Sequence, residues 1–229
     1  MLKKIISQAI KIIKGREFQF DDRITNGVIV FLTLYRFMEI IRGLFWLRKL
    51  IFVGAGTRLL STSMITCGKG VSIGRYSDID ALSEHGIVFG DGVSIGSQSV
   101  IKVSGTYTDI GHGIFVGNNV GIGDFAHIGG AGGVSIGDDT IVGAYFSIHP
   151  ENHNFSDKEV LIREQGVTRK GIVIGSNCWI GAKVTVLDGS VIGDGCVVAA
   201  GAVVSGVFPN NVVIGGVPAR ILKERCYVQ

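Results

Sequence analysis

His149 and His153 stand four residues apart in Ser147-Ile148-His149-Pro150-Glu151-Asn152-His153-Asn154-Phe155-Ser156-Asp157, and Glu164 follows seven residues after Asp157. Free imidazole titrates at about 6.5, so either ring can take a proton from a weak acid and hand it back to a leaving group. A carboxylate within reach would orient such a ring, and Asp157 and Glu164 are candidates to orient His153. Taken alone, each histidine reads as a loop residue bonded to a neighbouring carbonyl.

The elements around this stretch follow a beat of six. Ile174, Ile180, Val186, Ile192, Val198 and Val204 form the longest run. Shorter runs are Ile73 and Ile79, then Phe89, Ile95 and Ile101, then Ile110, Val116, Ile122 and Ile128, then Ile136, Val142 and Ile148. A period of six fits neither a helix nor a simple hairpin, and predicts an all-β hexapeptide solenoid with three hexads to a coil. In Ile192-Gly193-Asp194-Gly195-Cys196-Val197 the aliphatic points inward, and the glycine beside it is expected to serve a tight corner. Four residues on, a small side chain such as Cys178, Cys196 or Ala202 points inward again. One hexad cannot bury its own apolar residue, so stability must come from stacking coil on coil. Between Ile148 and Ile174 the beat slips by two and a loop must leave the solenoid. Such extrusions are where binding residues collect.

The 229 residues are 46% hydrophobic with a net charge of +3, enough for one solenoid domain with appendages. No cluster of Lys and Arg interleaves with aromatics, so nucleic acid is not an expected partner. Cys67, Cys178, Cys196 and Cys226 show no CxxC pattern, two of them fall on inward solenoid positions, and most read as small core residues of a reducing compartment. Residues 1–53 do not keep the beat. Leu2, Ile5, Ile6, Ala9, Ile10, Ile12 and Ile13 follow helical spacing opposite Lys3, Lys4, Lys11 and Lys14. That cationic helix either caps the solenoid or lies on an anionic membrane surface. A second apolar stretch, 24–53, is interrupted by Arg36, Glu39 and Arg42, and its uncharged run is too short to span a bilayer. No small-residue cleavage site follows the lysines, so a cytoplasmic protein is expected, with the N-terminal helix read first as a cap on the solenoid and membrane contact as the alternative.

The chain resembles the hexapeptide acyltransferases, in particular the branch of galactoside and maltose acetyltransferases and polysaccharide-cluster sugar O-acetyltransferases. The resemblance is strongest over 110–225. It is carried by Asn152-His153-Asn154-Phe155, Ile162-Arg163-Glu164-Gln165-Gly166, Ile174-Gly175-Ser176-Asn177-Cys178-Trp179-Ile180-Gly181-Ala182 and Gly215-Gly216-Val217-Pro218-Ala219-Arg220-Ile221-Leu222-Lys223. It implies a left-handed parallel β-helix over 54–215 with an extruded loop at 154–171, and a C-terminal cap over 216–229. It also implies a homotrimer, acetyl-CoA as donor, a sugar acceptor and direct transfer without an acyl-enzyme.

The family's catalytic histidine, placed by the beat, falls on His153, with His149 in reserve because His149-Pro150 looks like a catalytic dipeptide of that branch. The resemblance puts Trp179, Gly181, Ala182, Ala199, Gly201 and Ala202 along the pantetheine arm, and Arg220 and Lys223 near the nucleotide phosphates. Asp124, His127, Asn152 and Glu164 become acceptor-binding candidates. An acceptor-contacting Asn of the galactoside and maltose enzymes is replaced here by Gly123, and their acidic contacts by Gly129-Gly130-Ala131-Gly132-Gly133. These departures turn the expectation from galactosides and maltose toward a precursor of a cell-surface polysaccharide.

Other readings share the fold. A nucleotide-sugar N-acetyltransferase or a serine acetyltransferase would use the same base. A gamma-type carbonic anhydrase would bind zinc through three histidines, and His112, His149 and His153 approach the spacing but not the phase. The acyltransferase reading, by contrast, expects no metal. A non-catalytic scaffold would not bind acetyl-CoA.

Overall fold

The computed structural model describes residues 2–14 and 19–225. Short parallel strands stack into three faces. Face A runs Phe52–Val53, Ser72–Ile73, Ser94–Ile95, Gly121–Ile122, Ile141–Val142, Trp179–Ile180, Val197–Val198 and Val212–Gly216, closed by antiparallel Ala219–Glu224. Face B runs Arg58–Leu60, Asp78–Asp80, Val100–Lys102, His127–Gly129, Ser147–His149, Thr185–Leu187 and Val203–Val204. Face C runs Ile65–Cys67, Ile87–Phe89, Ile114–Val116, Val134–Ile136, Ile172–Ile174, Val191–Ile192 and Val207–Phe208. The chain passes A to B to C and returns, and we name its bends the AB, BC and CA corners.

The register explains the beat. Trp179 pairs with Val197 and Thr185 with Val203, a true three-hexad coil, and this is where the unbroken run lies. Ile141 pairs with Trp179, so that coil carries the extruded loop. All six aliphatics of the run are at 1% exposure or less, and they belong to one continuous core. Cys178, Cys196 and Ala202 fill the inward small positions.

The glycine after each aliphatic has a different role from the one expected. Gly143 and Gly193 do not take positive φ. A Cβ on either would stand 2.6 Å from a backbone nitrogen of the next coil, that of Ala182 or Asn210. Glycine is there because consecutive coils nearly touch. The left-handed residue comes two positions later. It is Asn119, Asp139, Asn177 and Gly195 at the CA corner, and Phe125, Tyr145, Lys183 and Gly201 at the AB corner. Asn, Asp and Gly tolerate that region. Phe125 and Tyr145 do not, and their rings stack at 4.8 Å on the surface of the AB corner.

Helix α1 is Leu2–Lys14 and α2 is Asn26–Leu47. The Thr25 hydroxyl caps α2 by accepting from the Val28 amide, and Arg48 ends it in the left-handed region. The charges that interrupt this apolar stretch face the solenoid. Arg36 pairs with buried Glu39 at 2.7 Å and lies over the Phe52 ring, while Arg42 donates to the Val53 carbonyl. Arg75 donates to the Tyr35 hydroxyl and lies over that ring. The opposite side of α2 exposes Val30, Leu34, Phe37, Met38, Ile41, Leu44 and Phe45, with no charge among them. Among the described residues, no helix is long and apolar enough to cross a membrane.

Candidate active site

In the interrupted coil Ser147–His149 is the strand of face B and Ile172–Ile174 the strand of face C, so this coil opens at the BC corner. Its first turn outward is a two-residue antiparallel pair, Asn152–His153 against Val167–Thr168, with His153 opposite Val167. The glycine-rich stretch of the preceding coil is the floor beneath it. A Cβ on Gly132 would stand 2.0 Å from the Pro150 carbonyl oxygen, and Gly171, at φ 80°, would bring one within 2.9 Å of the Gly132 carbonyl oxygen. Larger residues there would lift the loop off the solenoid.

Side chains then fasten the loop. The buried Asp188 carboxylate, on the next coil, accepts the Lys170 amide at 2.9 Å and the Gly171 amide at 3.0 Å through one oxygen. Its other oxygen accepts from the Asn152 side chain at 3.4 Å. Arg169 bridges Glu151 at 2.7 Å and Asp109 at 3.0 Å. Further out, the Gln165 side chain donates to the carbonyls of Asp157 and Val160 and accepts the Asp157 amide. The Asn154 side chain donates to the Gln165 carbonyl.

This scaffold presents His153 to solvent with no side-chain hydrogen-bond partner among the described residues. Asp157 does not orient it, because its carboxylate accepts the Glu159 amide within the loop's own turn. Glu164 ends the exposed turn Ile162–Glu164. His149, four residues before His153, lies on a different surface. Its Nε2 is 2.6 Å from the Ser147 hydroxyl on the outside of face B, and its ring stacks on His127 of the preceding coil at 5.7 Å. Burial lowers His127 below the ordinary imidazole value, and the charges of His149 and Lys102 lower it further.

The other predicted residues gather at a second edge. Trp179 is exposed on face A, with Ile141 and Val197 as its cross-strand neighbours. Gly181 and Ala182, and Ala199, Gly201 and Ala202, form the AB corner of two successive coils. Arg220 and Lys223 are exposed on the closing strand of face A, and the Arg220 guanidinium donates to the Ala219 carbonyl. Asp124 is also at the AB corner, where its carboxylate accepts the Ser97 amide at 2.7 Å. It borders a cavity of about 330 Å³ under α2, with Tyr35, Glu39 and Arg75. Gly123 shows why an Asn is missing there: a Cβ would stand 2.6 Å from the Ala144 nitrogen. Within one chain, then, the width of face B separates the residues matched to the cofactor from the loop that carries His153.

Asp188, Arg169 and Gln165 were not singled out from the sequence. Gln165 lies in the motif Ile162-Arg163-Glu164-Gln165-Gly166, but no spacing signals that Asp188 reaches a loop from the neighbouring coil. Burial pushes the Cys67 thiol up to about 11 and raises that of Cys178. These protonated, enclosed thiols are poor nucleophiles. Cys226 lies outside the described residues. His112, weighed for a zinc triad with His149 and His153, instead faces Glu84 and His85, and the triad does not assemble.

The stack of short parallel strands on a six-residue beat defines a hexapeptide β-helix. The family described as bacterial transferase hexapeptide (six repeats) matches residues 171–206. An acetyltransferase of Mycobacterium tuberculosis, Rv3034c, is 32% identical over 78% of this chain and 51% of its own length. WbbJ of Escherichia coli, named as a lipopolysaccharide biosynthesis O-acetyl transferase, is 38% identical over 48% of this chain and 60% of its own. The match thus spans only half to three fifths of those two relatives. WcaF of Escherichia coli, named as a colanic acid biosynthesis acetyltransferase, is 31% identical over 58% of this chain and 70% of its own. A solved structure of a variant of AntD, an N-acyltransferase from Bacillus cereus, in complex with dTDP and coenzyme A, shares the fold. Its TM-score is 0.58 at 21% identity, over 70% of this chain and 84% of that one. This chain belongs to the hexapeptide-repeat acyltransferases, and its solenoid is the left-handed β-helix of that family.

Proposed function

We propose that this protein transfers an acetyl group from acetyl-CoA to a hydroxyl of a cell-surface glycan precursor, with His153 as general base and residues 54–215 as the transferase domain. The observation that carries the reading is the hairpin at the BC corner, which pairs the backbone at His153 with Val167 and leaves its imidazole without a side-chain partner among the described residues. A hydroxyl is almost un-ionised at neutral pH. Neutral His153 removes its proton as the oxygen attacks the thioester carbonyl, and the imidazolium returns that proton to the thiolate when the carbon–sulfur bond breaks. Positioning of donor and acceptor supplies much of the remaining acceleration. The relatives named for lipopolysaccharide and colanic acid biosynthesis support a glycan acceptor.

The two separate edges of the chain support a homotrimer. In a three-fold assembly the BC loop of one subunit meets the AB corner and face A of the next, so that His153 and the residues around Trp179 share a cleft. The outward apolar side of α2, together with the cationic α1, supports peripheral attachment to the cytoplasmic side of an anionic membrane. There a lipid-carried acceptor and cytoplasmic acetyl-CoA would both be within reach.

The test is thiol release from acetyl-CoA in the presence of a panel of sugars, nucleotide sugars, lipid-linked glycans and amines. A hydroxyl acceptor that yields an ester, with release lost in His153→Ala, supports the reading. Equal rates for wild type and His153→Ala would overturn the assigned base, and amide product alone would move the acceptor to the amine class. An active monomer in sedimentation would remove the shared cleft. Flotation with anionic vesicles that survives Phe37→Glu together with Phe45→Glu would remove α2 as the anchor.

A further inference from the structure

We propose that Glu84, His85 and His112 form a binding site for a divalent transition cation of the zinc class. These residues lie on two successive coils at the BC corner, in the segments leading into the strands Ile87–Phe89 and Ile114–Val116. The donor atoms of the three side chains lie within 4.8 Å of one another. His112 Nδ1 stands 3.0 Å from a Glu84 carboxylate oxygen. An ion at the centre would replace that single contact with three bonds.

The backbone already holds the two segments together. The Glu84 amide donates to the Gly111 carbonyl at 2.9 Å, the His85 amide to the His112 carbonyl at 2.8 Å, and the Ile114 amide to the Gly86 carbonyl at 3.0 Å. A Cβ at Gly113 would stand 2.8 Å from the Gly86 carbonyl oxygen, so the coils approach as closely as glycine permits. Rotamer changes alone can therefore close the site around an ion. Two imidazoles and one carboxylate are a mixed nitrogen–oxygen set, suited to Zn²⁺, Co²⁺ or Ni²⁺ and unlike the all-oxygen shells of Mg²⁺ and Ca²⁺. All three side chains are exposed, so water completes the coordination.

His85 and His112 also line a cavity of about 450 Å³ along face C, bounded by Phe115, Val173 and, where the loop of His153 rejoins the solenoid, Lys170. The ion would stand at its rim and tie two coils together there. None of the residues proposed for acetyl transfer belongs to this ligand set, so the site stands or falls independently of that activity.

The experiment uses the full chain with no polyhistidine tag, stripped with a chelator and then titrated with Zn²⁺ and with Co²⁺, the latter followed by its visible spectrum. About one equivalent is expected per chain. His85→Ala and His112→Ala should each weaken binding about tenfold or more, and the double variant should abolish the cobalt spectrum while circular dichroism stays that of the wild type. His153→Ala should bind as the wild type does. Equal affinity in wild type and double variant, or an equal loss in His153→Ala, would overturn the proposal. Failure of the double variant to fold is covered by Glu84→Gln, which keeps the shape and should still weaken the ion by several-fold.

Discussion

Asp188 holds Gly171 across the mouth of the extruded loop: one carboxylate oxygen accepts the Gly171 amide at 3.0 Å and the Lys170 amide at 2.9 Å. The carboxylate is buried and its second oxygen faces Asn152, the residue before His153. Removing it leaves two amides without an acceptor, at a cost of about 1–3 kcal/mol for a buried group left unpaired. Asp188→Ala should therefore lower the denaturant midpoint and thiol release together. Asp188→Asn keeps an acceptor oxygen and should recover most of both. If Asp188→Ala unfolds at the same midpoint as the wild type, the clamp has no energetic weight.

His153 and His149 should separate cleanly in kinetics. Loss of a positioned base costs about 10²- to 10⁴-fold, so His153→Ala should fall by that order in thiol release without a change in unfolding midpoint. His149→Ala should fall by less than about tenfold, since that ring bonds Ser147 and stacks on His127 outside face B. A larger loss for His149→Ala would transfer the role of base to it.

His127 gives the fold a pH dependence of known sign. Burial first, then the charges of His149 and Lys102, hold its folded pKa below the unfolded value of about 6.5. The unfolded chain therefore binds more protons between the two values, and stability rises with pH there. The contribution is present above the unfolded value and is lost as pH falls through the folded one. Urea midpoints measured from pH 7.5 down to 5 should decline, and the decline should be shallower in His127→Gln. An unchanged slope in that variant would assign the dependence to other groups.

Alanine at three glycines should rank by the physical reason each glycine is present. At Gly143 the new Cβ would meet the Ala182 backbone at 2.6 Å, and overpacking of that kind costs about 1–3 kcal/mol. At Gly201 nothing lies within 4 Å but φ is 73°, so the cost is the left-handed strain of about 1–2 kcal/mol. At Gly105 the space is open and φ is not in that region, so stability should hold or rise slightly. Thermal unfolding of the three variants checks the order, and a Gly143→Ala protein as stable as Gly105→Ala would contradict the tight spacing of the coils.

Much of this was legible in one dimension. A period of six, with aliphatics that cannot be buried singly, leaves few folds but a stacked solenoid, and Ile174 to Val204 all became core. The slip between Ile148 and Ile174 located the loop. What the beat could not carry was anything that depends on a neighbouring coil. Gly143 and Gly193 follow an aliphatic in the sequence, yet the reason for glycine is an atom of the next coil and not a local dihedral. Asp188 is distant in sequence from Asn152 but meets it in space.

The sequence by itself determined the solenoid, because burial and coil stacking repeat with a period that the chain writes out, and the motifs set on that period carried the family. Only the tertiary structure decided which side of α2 faces outward. The spacing of Arg36, Glu39 and Arg42 read as an interruption of an apolar stretch, whereas packing buried Glu39 against Arg36, set Arg42 on the Val53 carbonyl and left the apolar side exposed. It likewise set His112 beside Glu84 and His85 and kept it out of a triad with His149 and His153. Coils of unequal length put residues in contact according to the register between strands, and a hexad carries no record of which residue lies above it.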